Sequence, residues 1–484
     1  MTILRITNDY SYLITKDSEV KHKLWNILRF KKRNYFMNPL YKQHLWDGYY
    51  DFFNKANGRF LTGLLTEVTL ALYYMGVKYD TVDERTRLNF AVDEVDDQFM
   101  NTFLPKGYSP ITLYDYQVDF INLAIKHQRG IIDPPTGSGK TNIMLGIMKC
   151  LPPSTPILFM ANRKGIVRQN YKEMLKWGFE NVGIFNGDVH KPDLITCANV
   201  QSVHHLGRLL PKFKVLIVDE VHMMASDTAL KAYRKLTGCS VRIGISATPF
   251  KFEHRKKGKT EVTEGDKVHK YNLKGFFGPI FKREGKKITT EELQERGILS
   301  PSKCYFYPIN EPQNIAFDIY QDAVTNGIAQ NWYFHQVIQK LVASLKGRTL
   351  ILVERLAHGD ALNKLIPGSL WVQGKDNDDT RDFVIKSLQE AKGNVVAIAT
   401  QQIFSAAINV FIHNFINAAG GKAEHDIIQR MGRGLRTAND KEILTYYDFI
   451  FRTNHYLEEH SRKRVRILKD EGHEIVMMEK LDFM

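Results

Sequence analysis

The chain has 484 residues, 43% of them hydrophobic, and Lys+Arg 67 against Asp+Glu 53 leave a formal net charge of +14. That length allows about three domains with sizeable cores, and the basic balance favours a polyanionic partner, of which nucleic acid is the usual one. The four cysteines, Cys150, Cys197, Cys239 and Cys304, are scattered without a CxxC pair or histidines at zinc-ligand spacing, so they read as reduced core thiols and indicate neither a disulfide framework nor a metal site.

No segment approaches the length needed to cross a bilayer, and the N-terminus lacks a basic stretch followed by an apolar run and a cleavage site. The expectation is a cytoplasmic protein without a membrane partner. There is no internal repeat and no low-complexity stretch.

Residues 1–100 are short in strand alternation and place aromatics among basic residues. Lys21, Lys23, Arg29, Lys31, Lys32 and Arg33 precede Tyr35, Phe36, Tyr41 and the string LWDGYYDFF. Trp46, Asp47 and Gly48 read as a β-turn with a buried Trp. An acidic stretch from Asp80 to Asp97 leads to Pro105 and Pro110, and this change of composition marks a linker.

From about 111 to 290, short apolar runs alternate with helical patterns: Ile131-Ile132, Ile157 to Met160, Leu194 to Cys197, Val215 to Val218 and Ile243 to Ser246. That alternation predicts a mostly parallel sheet wrapped by helices. The string PPTGSGKT at 134–141 falls where the first run turns into a helix. Gly137 and Gly139 let backbone N–H groups face phosphates, and the helix that follows points its positive end at them. Thr136, Gly137, Ser138, Gly139, Lys140 and Thr141 form the expected cradle for ATP, with Lys140 on the β- and γ-phosphates and Thr141 on Mg²⁺. Pro134 stands where the strict pattern has glycine.

DEVH at 219–222 closes the run Val215 to Val218. A carboxylate pair at the carboxyl end of a buried parallel strand is placed to serve a nucleotide. Asp219 is expected to hold Mg²⁺ through water and Glu220 to orient or deprotonate the attacking water; the plainer alternative is a turn with two solvated acids.

After Phe250 a stretch rich in Lys and Arg, 251–287, is expected to be a mobile basic loop, either in contact with DNA or simply solvated. A second alternating stretch, 300–450, has strands at Thr349 to Val353, Val395 to Ala399, Phe411 to Ile416 and Ile443 to Asp448, and no phosphate loop of its own. Two such units sharing one loop imply a nucleotide in the cleft between them. QRMGRGLR at 429–436 places Arg433 and Arg436 on one helix face, as arginine fingers for the γ-phosphate or as surface ion pairs. Gln429 is counted with the nucleotide-binding residues. The tail, 451–484, reads as helical and basic, with Arg462, Lys463, Arg464, Arg466 and Lys469 on a solvated or nucleic-acid-binding face.

From residue 113 to about 450 this ordered set resembles superfamily-two helicases. Gln117 in LYDYQVDF resembles the adenine-recognising glutamine motif. ANRKGIVRQ at 161–169 stands at the first nucleic-acid motif, and Thr196 with Gln201-Ser202 resembles the next. ISATP at 245–249 supplies Ser246 and Thr248, which in the family couple hydrolysis to strand movement. LILVERLAHGDAL at 350–362 and ATQQIFSAAINV at 399–410 resemble the fourth and fifth motifs, the latter with Ala407-Ile408 in place of Gly-Ile. By this resemblance Arg163, Gln169, Thr196, Gln201, Arg355 and Thr400 are expected to contact nucleic acid.

NYFMNPLYKQHLWDGYYDFF followed by FLTGLL is similar to the N-terminal DNA-binding domain of phage UvsW-type helicases, and residues 276–300 to their junction between motor units. The resemblance implies an α/β protein with two RecA-like parallel-sheet motor domains and a small α+β N-terminal DNA-binding domain, divided as 1–100, 101–290, 291–450 and a 451–484 tail. It implies an ATP- and Mg²⁺-dependent DNA helicase or translocase that migrates Holliday junctions, regresses forks and removes RNA from R-loops. Its partners would be branched, single- and double-stranded DNA, RNA–DNA hybrids and phage recombination proteins, and the chain a monomer or weak oligomer. A duplex translocase of restriction-motor type, an RNA helicase and a DNA-binding protein with a vestigial motor are the competing readings.

Overall fold

The computed structural model describes residues 1–483 apart from 33, 106, 251–254, 257–258, 261–263, 285–287, 313–318, 377, 392, 401–411, 422–426, 429–430, 433 and 436–442; at 255–256, 259–260, 264–266 and 378 it describes the backbone alone. Compactness divides the chain into two units, Met1–Pro134 with Gly139–Lys287, and Pro135–Ser138 with Ile288–Met484. The first hundred residues therefore share a unit with the sheet that follows them.

In the first unit a small sheet runs in the order Arg59–Leu61, Tyr10–Ile14, Ile3–Ile6, Asp80–Asp83. The first three are antiparallel neighbours and the last pairs parallel with Ile3–Ile6. Short strand alternation had hidden this sheet, and part of the acidic stretch taken for a linker is its edge: all four residues of Asp80–Asp83 are exposed and join through backbone pairing. Charge on an edge strand also discourages further pairing.

Helix Ser18–Ile27 starts where Asp17 Oδ1 accepts the amides of Glu19 and Val20, and it buries Val20 and Leu24. These meet Leu4, Leu13, Phe53, Phe60 and Leu64 in one core. At the turn, Asp47 Oδ1 accepts the Tyr49 amide at 3.0 Å and Trp46 Nε1 donates to the Tyr49 carbonyl at 2.7 Å, with Trp46 half-buried rather than buried.

The same core takes in Val268 from helix Glu264–Phe277, which corrects the expectation of a mobile loop over 251–287 in its second half. The basic residues there alternate with Val268, Tyr271, Leu273, Phe276 and Phe277, an apolar face at helical spacing. The Tyr271 ring lies 4.5 Å from that of Phe30, and Lys274 pairs with Glu67. A side chain at Gly63 would come within 2.0 Å of the Lys274 carbonyl oxygen, so the backbones meet only because this residue is glycine.

The large sheet of the first unit has the order His190–Lys191, Val182–Phe185, Ile195–Asn199, Ile157–Ala161, Val215–Asp219, Val241–Ile245, Arg129–Ile132, parallel except at its first pair. Every residue of Ile157–Ala161 is buried, as expected of a central parallel strand covered on both faces.

The second unit has a sheet of seven parallel strands, in the order Leu370–Val372, Val395–Thr400, Arg348–Val353, Asn414–Asn417, Leu444–Phe451, Ser302–Ile309, Glu474–Met477. Its last strand comes from the tail, and helix His455–Asp470 packs on the same core through Leu457. The tail is thus part of the sheet domain. Arg464, placed on a basic face in the sequence, is instead 1% exposed and forked onto Asp448 with N–O distances of 2.7 and 2.9 Å.

All four cysteines are free and buried. No helix among the described residues is long and apolar enough to cross a membrane.

Candidate functional site

In the large sheet of the first unit, Ile132, Ile245 and Asp219 lie in register on three adjacent strands. Their carboxyl ends therefore deliver the phosphate loop, Ser246 and the DEVH turn to one rim. The Ser246 amide donates to the Ile132 carbonyl at 3.0 Å, which fastens two of these ends together.

Helix Lys140–Lys149 begins at Gly139, whose φ of +78° suits glycine. A side chain there would also meet Gln117 Nε2 at 2.4 Å. Gln117 is 1% exposed on helix Asp115–His127, and its Oε1 accepts the Tyr114 amide at 3.1 Å. The glutamine and the loop expected to serve one nucleotide are thus in direct apposition. Within the loop, Gly137 has φ +86° and Ser138 Oγ donates to the Pro135 carbonyl at 2.7 Å. Thr136 Oγ1 is buried without a hydrogen-bond partner among the described residues, a polar atom left for a ligand.

Lys140 Nζ lies 3.6 Å from Glu220 Oε1, both side chains being less than one-fifth exposed. Asp219 Oδ1 accepts the Glu220 amide at 2.9 Å, which fixes the aspartate on the strand end. Glu220 has φ +49° and opens the turn Val221–Met223, so backbone strain is spent on turning its carboxylate. His222 Nδ1 lies 2.8 Å from Ser246 Oγ and 3.4 Å from Glu220 Oε2, and Ser246 Oγ accepts the Thr248 amide at 3.2 Å. Acid pair, histidine, Ser246 and Thr248 form one connected set.

Sequence reading missed His269, whose Nε2–H donates to the His222 carbonyl at 2.8 Å from helix Glu264–Phe277. The apolar spacing of that helix was the available signal. Also missed was Arg242, a charge in the apolar strand Val241–Ile245; it reaches Asp9 in the N-terminal lobe and donates to the Leu236 carbonyl at 2.9 Å.

The residues expected to touch nucleic acid fare unevenly. Arg163 caps helix Lys164–Lys176, which carries half-buried Gln169. Gln201 is exposed just beyond strand Ile195–Asn199, its amide held by Asn199 Oδ1 at 3.0 Å. Thr196 departs from expectation: it is 0% exposed near the start of that strand, and its hydroxyl donates to the Asp193 carbonyl at 2.6 Å. Its chemistry is used inside the fold.

In the second unit, Val353 and Thr400 end neighbouring strands in register. Arg355, two residues on, caps helix Leu356–Leu365 and bonds to Gln321, and Thr400 Oγ1 is buried without a hydrogen-bond partner among the described residues. Gln429, Arg433 and Arg436 lie outside the described residues.

A glycine-started helix facing an acid pair on a parallel rim, with a second parallel-sheet unit in the same chain, is the arrangement of a protein with two RecA-like sheets. Residues 110–251 match the family described as type III restriction enzyme, res subunit. The chain is 22% identical over 470 residues to the ATP-dependent DNA helicase uvsW of Enterobacteria phage T4, covering 92% of this chain and 89% of that protein. It is 23% identical over 366 residues to the DNA 3'-5' translocase XPB2 of Sulfurisphaera tokodaii, covering 69% and 80%. A fragment of a putative HsdR subunit of a type I restriction enzyme from Vibrio vulnificus shares the fold, with a TM-score of 0.55 at 16% identity over 81% of this chain and 72% of that one. Over most of its length the chain is thus similar to an ATP-dependent DNA helicase and, over a shorter part, to a DNA translocase.

Proposed function

We propose that this protein is a superfamily-two ATP-dependent DNA helicase or translocase of the UvsW-like kind that remodels branched DNA such as Holliday junctions, forks and R-loops in phage recombination, replication and repair. The observation that carries the reading is the Lys140–Glu220 pair, held at 3.6 Å on a parallel rim beside Asp219 and linked through His222 to Ser246.

In this mechanism Lys140 exchanges its carboxylate partner for the β- and γ-phosphates when ATP enters, which releases Glu220 to orient the attacking water or take its proton. Gln117 reads the base. The residues suit Mg²⁺: Asp219 is oriented by the Glu220 amide, and Thr141 follows the lysine. When bound, that ion neutralises charge on the phosphates. Arg433 and Arg436 act as arginine fingers, with Gln429 beside them. Ser246 and Thr248 pass the change at Glu220, through His222, to the strand ends, while Arg163, Gln169, Gln201, Arg355 and Thr400 grip the nucleic acid.

Residues 1–100 serve as the DNA-binding domain, 101–290 as the first motor domain and 291–450, with the tail 451–484 that completes its sheet, as the second. The protein works in the host cytoplasm as a monomer or weak oligomer, alongside phage recombination proteins. The test is Lys140→Ala in the full chain: DNA-stimulated phosphate release should fall at least about a hundredfold, while DNA binding stays within about twofold. Retained hydrolysis would overturn the reading.

The match of 110–251 to a restriction-enzyme family favours a second reading, movement on duplex DNA without strand separation. Displacement of a triplex-forming strand without displacement of a duplex strand would select it.

A further inference from the structure

The first unit has a cavity of about 560 Å³ away from the nucleotide residues, walled by the N-terminal lobe and bounded by Arg234 and Asn272 from farther along the same unit. Cations over aromatic rings build its wall. The Arg29 guanidinium lies 4.2 Å from the ring centres of both Trp25 and Tyr49, Lys55 Nζ lies 4.0 Å from that of Trp25, and Arg59 lies 4.8 Å from that of Tyr10. Asp47 and Asp51, the two carboxylates in the lining, both pair with Arg29. Among the described residues, Lys55, Arg59 and Arg234 are left without a carboxylate partner.

These features restrict the occupant. Three cations without a carboxylate partner disfavour an apolar molecule, and a bare inorganic anion that drew Lys55 and Arg59 off Trp25 and Tyr10 would leave those ring faces uncovered. A base-paired step is too wide for a cavity in the small-ligand size range. What remains is a flat ring joined to a negative charge. Aromatic side chains stack on bases regardless of sequence, and neighbouring cations follow the phosphates.

We infer that this cavity takes one unpaired nucleotide of a DNA strand, its phosphate drawing Lys55 and Arg59 off the rings of Trp25 and Tyr10 and its base taking the face of Trp25 that Lys55 vacates. The inference rests on the reading of the protein as a DNA-dependent motor and adds a fixed anchor for strand that is already separated. Because the walls belong to one compact unit that also holds Lys140 and Glu220, a nucleotide held there is held relative to the ATP residues.

The test compares the full-length parent with Lys55→Ala/Arg59→Ala, two exposed positions whose loss leaves the core intact. The probes are a duplex with a single-stranded arm carrying 2-aminopurine, a blunt duplex of equal length, and free dTMP. The variant should bind the armed duplex about tenfold more weakly and lose the 2-aminopurine quenching. Its salt slope should be smaller by about 1.4, two contacts at about 0.7 each, with blunt-duplex binding unchanged. The pair Lys55→Arg/Arg59→Lys should restore binding.

Equal loss on both duplexes would make the residues a general phosphate patch, and no loss would empty the cavity of this role; either overturns the inference. So would dTMP displacing the arm at the arm's own affinity, which would assign the cavity to free nucleotides. A parent without DNA-stimulated phosphate release would sink the motor reading, while quenching by the arm would still report on the cavity.

Discussion

In the second unit, Arg464 and Asp448 are 1% and 0% exposed and tie helix His455–Asp470 to a strand of its own sheet, with Tyr446 and Asn417 also on the aspartate at 2.9 Å. In the first unit, Arg242 is just as buried, but its partner Asp9 is 23% exposed and belongs to the N-terminal lobe. Arg129 repeats the pattern, donating to the Phe276 carbonyl at 2.9 Å and to the Asn8 carbonyl. One buried charge seals a domain against itself; Arg242 and the half-buried Arg129 join a lobe to the sheet that carries the proposed ATP residues. Arg242 also lies on the strand that runs into Ser246, so a displacement of the lobe acts on the rim through one rigid strand.

If that contrast is right, Arg464→Met should be the costliest of the structural substitutions considered, about 3–5 kcal/mol, because it strands a fully buried carboxylate. Urea unfolding reads this, and a cost below about 1 kcal/mol would break the comparison. Acid should come next and strike the second unit harder. Burial pushes His473 down to about 4 and His358 down to about 3, from an ordinary value near 6.5. Above pH 6.5 these side chains are neutral folded or unfolded. As the pH falls from there toward 4, the unfolded chain binds protons that the folded one refuses, so stability drops by about 3 kcal/mol for His473 alone. Hydrogen exchange at pH 7 and pH 4.5 should show the loss in peptides from the second unit, and His473→Gln should remove part of it. Asp9→Ala should cost less, about 1–2 kcal/mol, since the Arg242 it strands keeps the Leu236 carbonyl and the vacated, partly solvated site admits water. It should also lower DNA-stimulated ATPase, which Arg464→Met at a permissive temperature should spare.

Much of the two large sheets was legible because parallel strands covered on both faces are written as unbroken apolar runs, as in Val215–Asp219 and Arg348–Val353. Strands stabilised otherwise were not. Asp80–Asp83 is wholly exposed, and Ser302–Ile309 contains a proline and a lysine. The candidate phosphate loop and acid pair could be singled out because each sits in a contiguous string, and the structure brings Lys140 to Glu220. Thr196 misled because a motif position does not reveal whether a hydroxyl faces a ligand or its own turn, and here Asp193 takes it. The Arg242–Asp9 pair spans 233 residues of sequence, and no local pattern announces a partner so distant.

The smallest effect sharpens the same contrast. His269 was not among the expected site residues, yet its donation to the His222 carbonyl links the helix packed on the N-terminal lobe to the turn that carries Glu220. Replacing it with Phe keeps bulk and removes the donor, at a cost of about 1 kcal/mol in stability. A positioning role predicts more than that: the kcat of DNA-stimulated hydrolysis should fall about fivefold while KM for ATP holds, because the lost contact orients the turn and does not bind the nucleotide. His269→Gln, which can still donate, should recover most of the rate. Were KM to rise with kcat unchanged, His269 would belong to ATP binding. Were neither to move, the lobe and the rim would be neighbours without being coupled, and the buried Arg242 would have to be read as an anchor alone.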